Sequence, residues 1–258
     1  MGDWTRKSIG GLDCFRLPVG PGLLVAVTGR RGGTSAPPRD SLNLSYYVGD
    51  DPARVAENRE RVQASLDLDR LATVRQVHGT AIHEPGTETP GPDPVRADAL
   101  VTRARRVGLG IKVADCLPVF AWSPDLAWVG VAHCGWRGTV ARLALLLARD
   151  VARRAGTTPD RLRYALGPCI CPDCYTVGQD VIAAVRRSFS EPRRLLRTAR
   201  GAPGCGFDLR GANRQLLREA GLEETGSLER CTFEESPFFF SARRNRETGR
   251  NLAVIALR

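Results

Sequence analysis

The chain is poor in histidine and lysine: its 258 residues include three histidines and only two lysines, Lys7 and Lys112. It also lacks any apolar run near the roughly 20 residues that a membrane-spanning helix needs. The first residues, MGDWTRKSIGGLDCF, contain no apolar core of the kind found in a secretory signal. We therefore expect a cytoplasmic protein with no membrane partner, whose eight cysteines are reduced thiols or metal ligands rather than disulfides.

The formal net charge of +10 comes almost entirely from arginines that are dispersed along the chain. A nucleic-acid-binding surface gathers basic residues and interleaves them with aromatic residues on which bases stack. The clusters here, such as Arg193-Arg194 and Arg243-Arg244, are short and lack such aromatics. The composition therefore predicts no nucleic-acid partner, and small anionic substrates suit the positive charge better.

Strand-like and helix-like patterns follow one another without a regular βαβ period. Strand patterns cover 22–30, 71–84 with a break at Gly79, 107–113, 118–122, 126–134, 163–168, 227–233 and 250–257. Helix patterns cover 50–66, 138–156, 178–189 and 208–221. We predict an α+β fold in which residues 1–258 form a single domain, with mixed β-sheets flanked by helices.

Helix ends are predicted from capping residues. An Asp precedes Pro52 at the start of the first helix, and Asp208 is placed to cap the fourth. In the second helix, Thr139 is the expected N-cap and Gly156 the expected end. This helix would begin just after His133, and its free N–H groups and positive dipole end would favour phosphate or developing negative charge there.

His78, Cys116 and His133 are much further apart than the paired ligands of a zinc finger. Each lies near the end of a predicted strand, where separate strands can bring three ligands together. Three protein ligands leave the fourth position of a catalytic zinc open for water or substrate. Spacing alone also allows a buried cysteine and two hydrogen-bonded histidines without a metal.

Several short motifs occur in a fixed order along almost the whole chain. They are RRGGTS, SLNLSYYVGDDPARVAENRERV, RQVHGT, ADALVT, VADCLPV, HCGWRG, LGPCICPDCYTVG and FFFSARRNRETGR. Together they resemble the laccase-domain family, whose members carry names such as polyphenol oxidase and peptidoglycan editing factor, and several of which are purine nucleoside phosphorylases. The resemblance implies that His78, Cys116 and His133 bind a metal, with zinc favoured over copper.

The resemblance also implies a reaction: phosphorolysis of adenosine, inosine, guanosine or methylthioadenosine, with adenosine deamination as a companion activity. The partners would then be a small-molecule nucleoside and phosphate. Such a site needs a charged anchor for phosphate, a pocket for the flat base and assistance to the leaving purine.

Five further residues are candidates for this site. Arg31 and Arg243 are expected phosphate contacts, and Arg137 is either a third or a structurally paired arginine. Asp115 is predicted to act as an acid or to orient a ligand histidine, although a strand-end Asp often caps backbone N–H groups. Asn43 is either a polar group of the site or an Asx-turn residue.

The chain departs from the family pattern at several cysteines. The residue after His133 is usually small, yet here it is Cys134, and Thr176 replaces a usual acidic residue. The spacing of Cys169, Cys171 and Cys174 suggests a second metal site, but with no histidine nearby the sequence offers it no fourth ligand. These departures leave open a different substrate in specialised metabolism.

Three other functions compete with the nucleoside hypothesis. A copper-dependent phenol oxidase is disfavoured, because three histidines cannot supply the ligands of a multicopper centre. A non-catalytic protein with a closed metal site would need a fourth ligand such as Cys134. Editing of a cell-wall precursor is a hydrolase function that the sequence does not separate from nucleoside chemistry.

Overall fold

The computed structural model describes residues 2–86, 93, 95–198 and 204–258, which form three β-sheets and six α-helices. The helices are α1 (Pro52–Ser65), α2 (Trp136–Val140), α3 (Leu143–Arg154), α4 (Gln179–Ser188), α5 (Pro192–Leu195) and α6 (Leu209–Glu219). Across these ranges, no helix has the length and apolar character required to cross a membrane. The combination of mixed sheets and flanking helices confirms the predicted α+β class.

The first sheet has six strands, with the last strand of the chain near its centre. In spatial order they are β1 (Thr5–Ile9), β2 (Leu12–Leu17), β3 (Leu23–Thr28), β15 (Asn251–Leu257), β7 (Val107–Val113) and β4 (Arg70–Thr73). β15 pairs antiparallel with β3 and β7, whereas β4 pairs parallel with β7. Every residue of β3 and β15 is buried, as their continuous apolar runs predict.

The second sheet positions the candidate site. In spatial order its strands are β14 (Glu223–Ser227), β10 (Arg163–Leu166), β8 (Leu117–Trp122), β9 (Val129–Cys134), β6 (Ala99–Thr102) and β5 (Ile82–His83). β8 and β9 form the antiparallel pair expected from the turn between them, with Leu117 opposite Cys134. The third sheet is small and has the order β11 (Thr176–Val177), β13 (Cys205–Phe207), β12 (Leu196–Thr198).

The two large sheets pack face to face and share one apolar core. It includes Val25, Ile111 and Ile255 from the first sheet and Phe120 and Val131 from the second. The outer face of the first sheet packs against α1, and the outer face of the second packs against α3, α4 and α6. The layers therefore run helix, sheet, sheet, helices, and both sheets are covered on both faces.

Capping predictions for two helices are confirmed. The carboxylate of Asp51 accepts a hydrogen bond from the Ala53 N–H at 2.9 Å, at the start of α1. The carboxylate of Asp208 accepts one from the Gly211 N–H at 2.8 Å, at the start of α6. Both side chains satisfy an N–H group that the helix itself leaves unpaired.

The predicted helix 138–156 is wrong in its start and its continuity. α2 begins at Trp136 with Gly135 as its N-cap, and Arg142, with φ of 61°, separates it from α3. Thr139 therefore lies inside α2 and is fully buried, where its hydroxyl accepts a hydrogen bond from Asn213 Nδ2 at 2.8 Å. The Thr139 hydroxyl therefore makes a tertiary hydrogen bond and does not cap the helix.

The predicted strand at 227–233 is also wrong, because β14 ends at Ser227. The carbonyl of Leu228 accepts hydrogen bonds from the Arg210 side chain at 2.7 Å and from the Arg230 N–H at 2.8 Å, so it is not available to a β-ladder. Cys231 forms only an isolated bridge with Cys169. The strand pattern at 71–84 likewise shortens to β4 and β5, with a loop between them.

Candidate metal centre

The register of β8 and β9 brings Cys116 and His133 together. Cys116 directly precedes β8, and His133 lies opposite Pro118 near the end of β9. In an antiparallel pair, the start of one strand lies beside the end of the other. The local sequence of this hairpin therefore accounts for two of the three predicted ligands.

His78 reaches the same place from the loop that follows β4. Its backbone is left-handed, with φ of 59°, which is uncommon for a residue other than glycine. The N–H groups of Val77, His78 and Gly79 donate to the carboxylate of Asp98 at 3.1, 3.0 and 2.7 Å. One buried carboxylate thus fixes the conformation of the loop that carries His78.

Asp98 also orients His133. Its Oδ1 lies 2.9 Å from Nδ1 of His133, and its fully buried position excludes competing water. This contact leaves Nε2 as the nitrogen available to a metal, the arrangement by which a carboxylate behind a histidine sets its tautomer. Burial alone would raise the pKa of Asp98, but hydrogen bonds from His133 and Gly79 hold it below its usual range.

The ligand atoms of His78, Cys116 and His133 all lie within 4.8 Å of one another. The two imidazole rings meet edge to face, with centroids 4.9 Å apart. Within the part of the chain that the structure describes, no fourth Cys, His, Asp or Glu joins this group. The donor set of two imidazoles and one sulfur suits a divalent transition metal and leaves a coordination position open.

Charge in this group favours a thiolate. Burial would raise the pKa of Cys116, but the neighbouring His133 and hydrogen bonds from His133 and His78 lower it to about 6. For His133, burial would lower the pKa, but the Cys116 thiolate and Asp98 raise it to about 9. In the metal-free protein the pair is therefore a thiolate and an imidazolium near neutral pH, and the sulfur is already in the form that a metal binds.

Cys134 does not join the group. It alternates with His133 along β9, so its side chain faces the core formed with α3, where it is fully buried. Burial raises the pKa of this thiol well above its ordinary value. The closed four-ligand site that would have recruited Cys134 is therefore not formed.

Gly135 makes space for the two ligands beside it. A Cβ atom at this position would lie 3.0 Å from Sγ of Cys116 and 3.3 Å from Cδ2 of His78. A carbon and a sulfur atom this close would overlap, so a larger residue would displace the ligands. No specific role was predicted for Gly135 or Asp98, although both lie within the family motifs.

The three ligands lie on the wall of a cavity of about 570 Å³. Four cationic side chains line the same cavity: Arg75, Lys112, Arg243 and Arg250. The ammonium of Lys112 is buried and contacts the carboxylate of Asp93 and the carbonyl of Val74. Asp93 balances the charge of Lys112, so the three arginines are the groups that attract a small anion to the neighbourhood of the predicted metal ligands.

Asp115 lines the cavity next to Cys116, and both of its carboxylate oxygens are engaged. Oδ1 accepts from the hydroxyl of Thr232 at 2.7 Å, and Oδ2 accepts from the N–H of Arg243 at 2.7 Å. Its backbone is left-handed, with φ of 89°. Asp115 therefore connects the segments that carry Thr232 and Arg243 instead of contacting a ligand histidine.

The other sequence candidates lie in different places. Arg243 lines the cavity, and its guanidinium donates to the carbonyl of Thr176 at 3.0 Å. Arg31 and Arg137 are exposed and are not among the lining residues, and the guanidinium of Arg137 lies over the Trp136 ring. Asn43 is fully buried in an Asx-turn, accepting from the Ser45 N–H at 3.1 Å.

Comparison with known proteins identifies the family. A family model described as multi-copper polyphenol oxidoreductase laccase matches residues 24–258. A protein named purine nucleoside phosphorylase from Deinococcus radiodurans is 40% identical, over 92% of this chain and 91% of that one. A protein named adenosine deaminase RL5, from an unknown prokaryotic organism, is 34% identical, over 92% and 90%.

A solved structure agrees with these matches over the full length. The crystal structure of YlmD from Geobacillus stearothermophilus is 33% identical and superposes with a TM-score of 0.89, covering 100% of both chains. Because the sequence match spans nearly all of the chain and the fold agrees throughout, the chain belongs to the laccase-domain family.

Proposed function

We propose that the chain is a zinc-dependent enzyme that cleaves purine nucleosides by phosphorolysis. The observation that carries the proposal is an open three-ligand group on the wall of a cationic cavity. The relative from Deinococcus radiodurans and YlmD from Geobacillus stearothermophilus are both named purine nucleoside phosphorylase, which supports the same reaction. In that reaction hydrogen phosphate attacks C1′ of the sugar, the C1′–N9 bond breaks, and the base gains the proton.

His78, Cys116 and His133 fit zinc by the chemistry of their donor atoms, with Asp98 behind His133. Zinc held there would polarise a substrate atom or lower the pKa of a water at its open position. All three histidines of the chain lie in described segments, and His83 is outside the group, so the ligands of a multicopper centre are not assembled.

The other residues that line the cavity fall into two groups: arginines, which suit phosphate, and tyrosines, which suit the base. Arg75, Arg243 and Arg250 present positive charge for phosphate, and an arginine fork matches two phosphate oxygens at once. Tyr47 and Tyr175 present aromatic rings to the cavity, and Tyr47 leaves 47% of its surface exposed. A purine can stack on such a ring while phosphate is held at the cationic side.

Adenosine deamination is the second candidate activity. It is favoured by the open coordination position and by the relative named adenosine deaminase RL5. The two reactions separate cleanly in an assay, because deamination releases ammonia without phosphate whereas phosphorolysis releases free base only with it.

The test is an assay of the metal-replete protein with adenosine, inosine, guanosine and methylthioadenosine, each with and without phosphate. Phosphate-dependent release of free base together with a sugar 1-phosphate is the expected result. His133→Ala should abolish it, and His83→Ala serves as the matched control because His83 lies outside the ligand group. If folded, zinc-loaded protein consumes none of the four nucleosides, the proposal is wrong.

A further inference from the structure

A second set of metal-binding side chains lies apart from the His78 group. The sulfurs of Cys171, Cys174 and Cys231 and a carboxylate oxygen of Glu234 all lie within 4.8 Å of one another. We call these four residues the Cys171 cluster. Cys169, the first cysteine of the C-x-C-x-x-C sequence, is buried in the core and is not a member. Spacing along the chain concealed the cluster, since two of its members come from the segment around residue 231.

The first half of the cluster is a tight turn, Cys171-Pro172-Asp173-Cys174. The N–H groups of Cys174 and Tyr175 both donate to the carbonyl of Cys171, at 3.1 and 3.0 Å. A turn of this form points the two cysteine side chains in one direction, as in structural zinc sites built on a C-x-x-C pair. The Cys171 N–H then donates to Sγ of Cys231 at 3.3 Å, a contact that places the Cys231 sulfur beside the turn.

Main-chain and arginine contacts hold the second half of the cluster, Cys231 and Glu234, against the turn that carries Cys171 and Cys174. The Thr232 N–H donates to the carbonyl of Cys169 at 3.2 Å, beside the bridge between Cys169 and Cys231. Arg244 donates to the carbonyls of Thr232 and Phe233 and so fixes the turn that leads to Glu234. Glu234 Oε1 lies 3.6 Å from Sγ of Cys174. These contacts fix the main-chain segments that carry the four donors, and the exposed Glu234 side chain reaches the cluster through its contact with Cys174.

We propose that the Cys171 cluster binds a structural zinc ion through three thiolates and one carboxylate. Thiolate-rich, four-ligand sets select zinc among the common divalent ions, and a closed set leaves no position for substrate. As zinc binds, each of the three thiols gives its proton to solvent and forms a Zn–S bond. Bonds of about 2.3 Å place tetrahedral sulfurs roughly 3.8 Å apart, so side-chain shifts of about 1 Å close the site.

In the absence of a cation, burial opposes the ionisation of the two cysteines of the turn. Burial first, and then the neighbouring Cys231, raise the pKa values of Cys171 and Cys174 above the ordinary range. A bound cation reverses this effect, because it stabilises all the thiolates together.

The Cys171 cluster lies beside the wall of the candidate active-site cavity, so a bound ion would stabilise that wall. Ile170 and Tyr175 flank its first half and line the cavity of the candidate active site. Thr232 follows Cys231 and donates to Asp115 on the cavity wall. Zinc would therefore clamp the wall that carries Tyr175 and Asp115, without itself contacting substrate.

The decisive measurement is made in a Cys116→Ser background, which disables the other group. Full-length Cys116→Ser protein, loaded with zinc and desalted, should retain one zinc per chain, and adding Cys171→Ser or Cys231→Ser should remove it. Adding Cys205→Ser is the matched control, because Cys205 is partly buried but outside both groups. Circular dichroism confirms that each variant is folded, and Cys231→Ser supplies a second variant if Cys171→Ser is not.

Cobalt substitution gives a readout that is independent of activity. The Cys116→Ser protein loaded with Co²⁺ should show intense thiolate-to-cobalt charge-transfer absorption, which the Cys171→Ser variant loses. Folded Cys116→Ser protein that retains no metal while all its thiols are free overturns the proposal. So does a Cys171–Cys174 disulfide found by mass spectrometry in freshly prepared protein. Neither result affects the nucleoside proposal, which rests on the other group.

Discussion

Asp98 holds His133 at two points: its carboxylate contacts Nδ1 of the imidazole at 2.9 Å, and its backbone carbonyl accepts from the His133 N–H at 2.7 Å. The ring and the strand that carries it are thus fixed by one residue. The same carboxylate binds the backbone of the loop that carries His78. Two predicted metal ligands that are distant in sequence therefore share one positioning residue.

Asp98→Asn should weaken zinc binding by about 10- to 100-fold, because one amide oxygen cannot accept all the hydrogen bonds that the carboxylate accepts. Competition with a chelator of known affinity measures the change. Asp125→Asn, on the exposed turn between β8 and β9, is the matched control and should leave affinity unchanged. An Asp98→Asn protein with unaltered zinc affinity would show that the carboxylate does not position the ligands.

The thiol of Cys116 should titrate near pH 6 in metal-stripped protein. Its folded-state pKa lies below the ordinary value of 9.0, so its stabilising contribution is lost as pH falls through about 6. The folded-state pKa of His133 lies above 6.5, so its contribution is lost as pH rises through about 9. The ion pair therefore stabilises the metal-free fold between these two values.

Alkylation provides the measurement, because only the thiolate reacts and Cys116 opens to the cavity. The rate at Cys116, followed by peptide mass spectrometry, should rise with a midpoint near pH 6. His133→Ala should move the midpoint upward, since the main group that lowers the pKa is removed. A midpoint near pH 9 in the unsubstituted protein contradicts the ion pair.

Gly135→Ala should reduce zinc affinity, because the added methyl group would overlap Sγ of Cys116. Gly138→Ala is a close control: Gly138 lies within α2, the helix that Gly135 caps, and its Cβ would come no nearer than 3.4 Å to any neighbour. Isothermal titration of metal-stripped protein with zinc measures both. Equal affinities for the two variants would refute the steric role of Gly135.

Arg243 and Arg137 should differ in their effect on phosphate use. Arg243→Ala removes a cation from the cavity and should raise the KM for phosphate about 10- to 100-fold, the cost of losing one charge-assisted hydrogen bond. Arg137→Ala should leave this KM nearly unchanged, because Arg137 is exposed and stacks on Trp136 outside the cavity. Initial rates at varied phosphate with saturating nucleoside check both, and the reverse order of effects would exclude Arg243 as the anchor.

The sequence predicted that Cys116 lies beside His133, because a local element, the β8–β9 hairpin, forms that part of the site. The β8–β9 hairpin follows from two apolar runs and the turn between them, and it alone brings Cys116 beside His133. The left-handed backbone of His78 depends on Asp98, which lies on a different strand, so no local pattern indicates it. The family motifs, rather than spacing, supplied this third ligand.

The wrong helix start and the incomplete second cysteine group also arise from tertiary contacts that the sequence does not show. Thr139 has the right chemistry for an N-cap, but Gly135 starts the helix earlier and Asn213 takes the Thr139 hydroxyl. The sequence grouped Cys169 with Cys171 and Cys174, but Cys169 packs in the core, and Cys231 and Glu234 join the cluster from a distant segment. Tertiary contacts therefore decided the details that short-range patterns left undetermined.

The central position of β15 constrains how the chain folds during synthesis. Residues 251–257 are translated after all the other strands, yet they join β3 to β7. Until they emerge from the ribosome, both partner strands present unpaired edges that can join to other chains. Their late insertion also requires closing very long loops, which slows folding. A nascent chain that stalls before residue 251 should therefore depend on chaperones to avoid aggregation, however complete its metal ligands are.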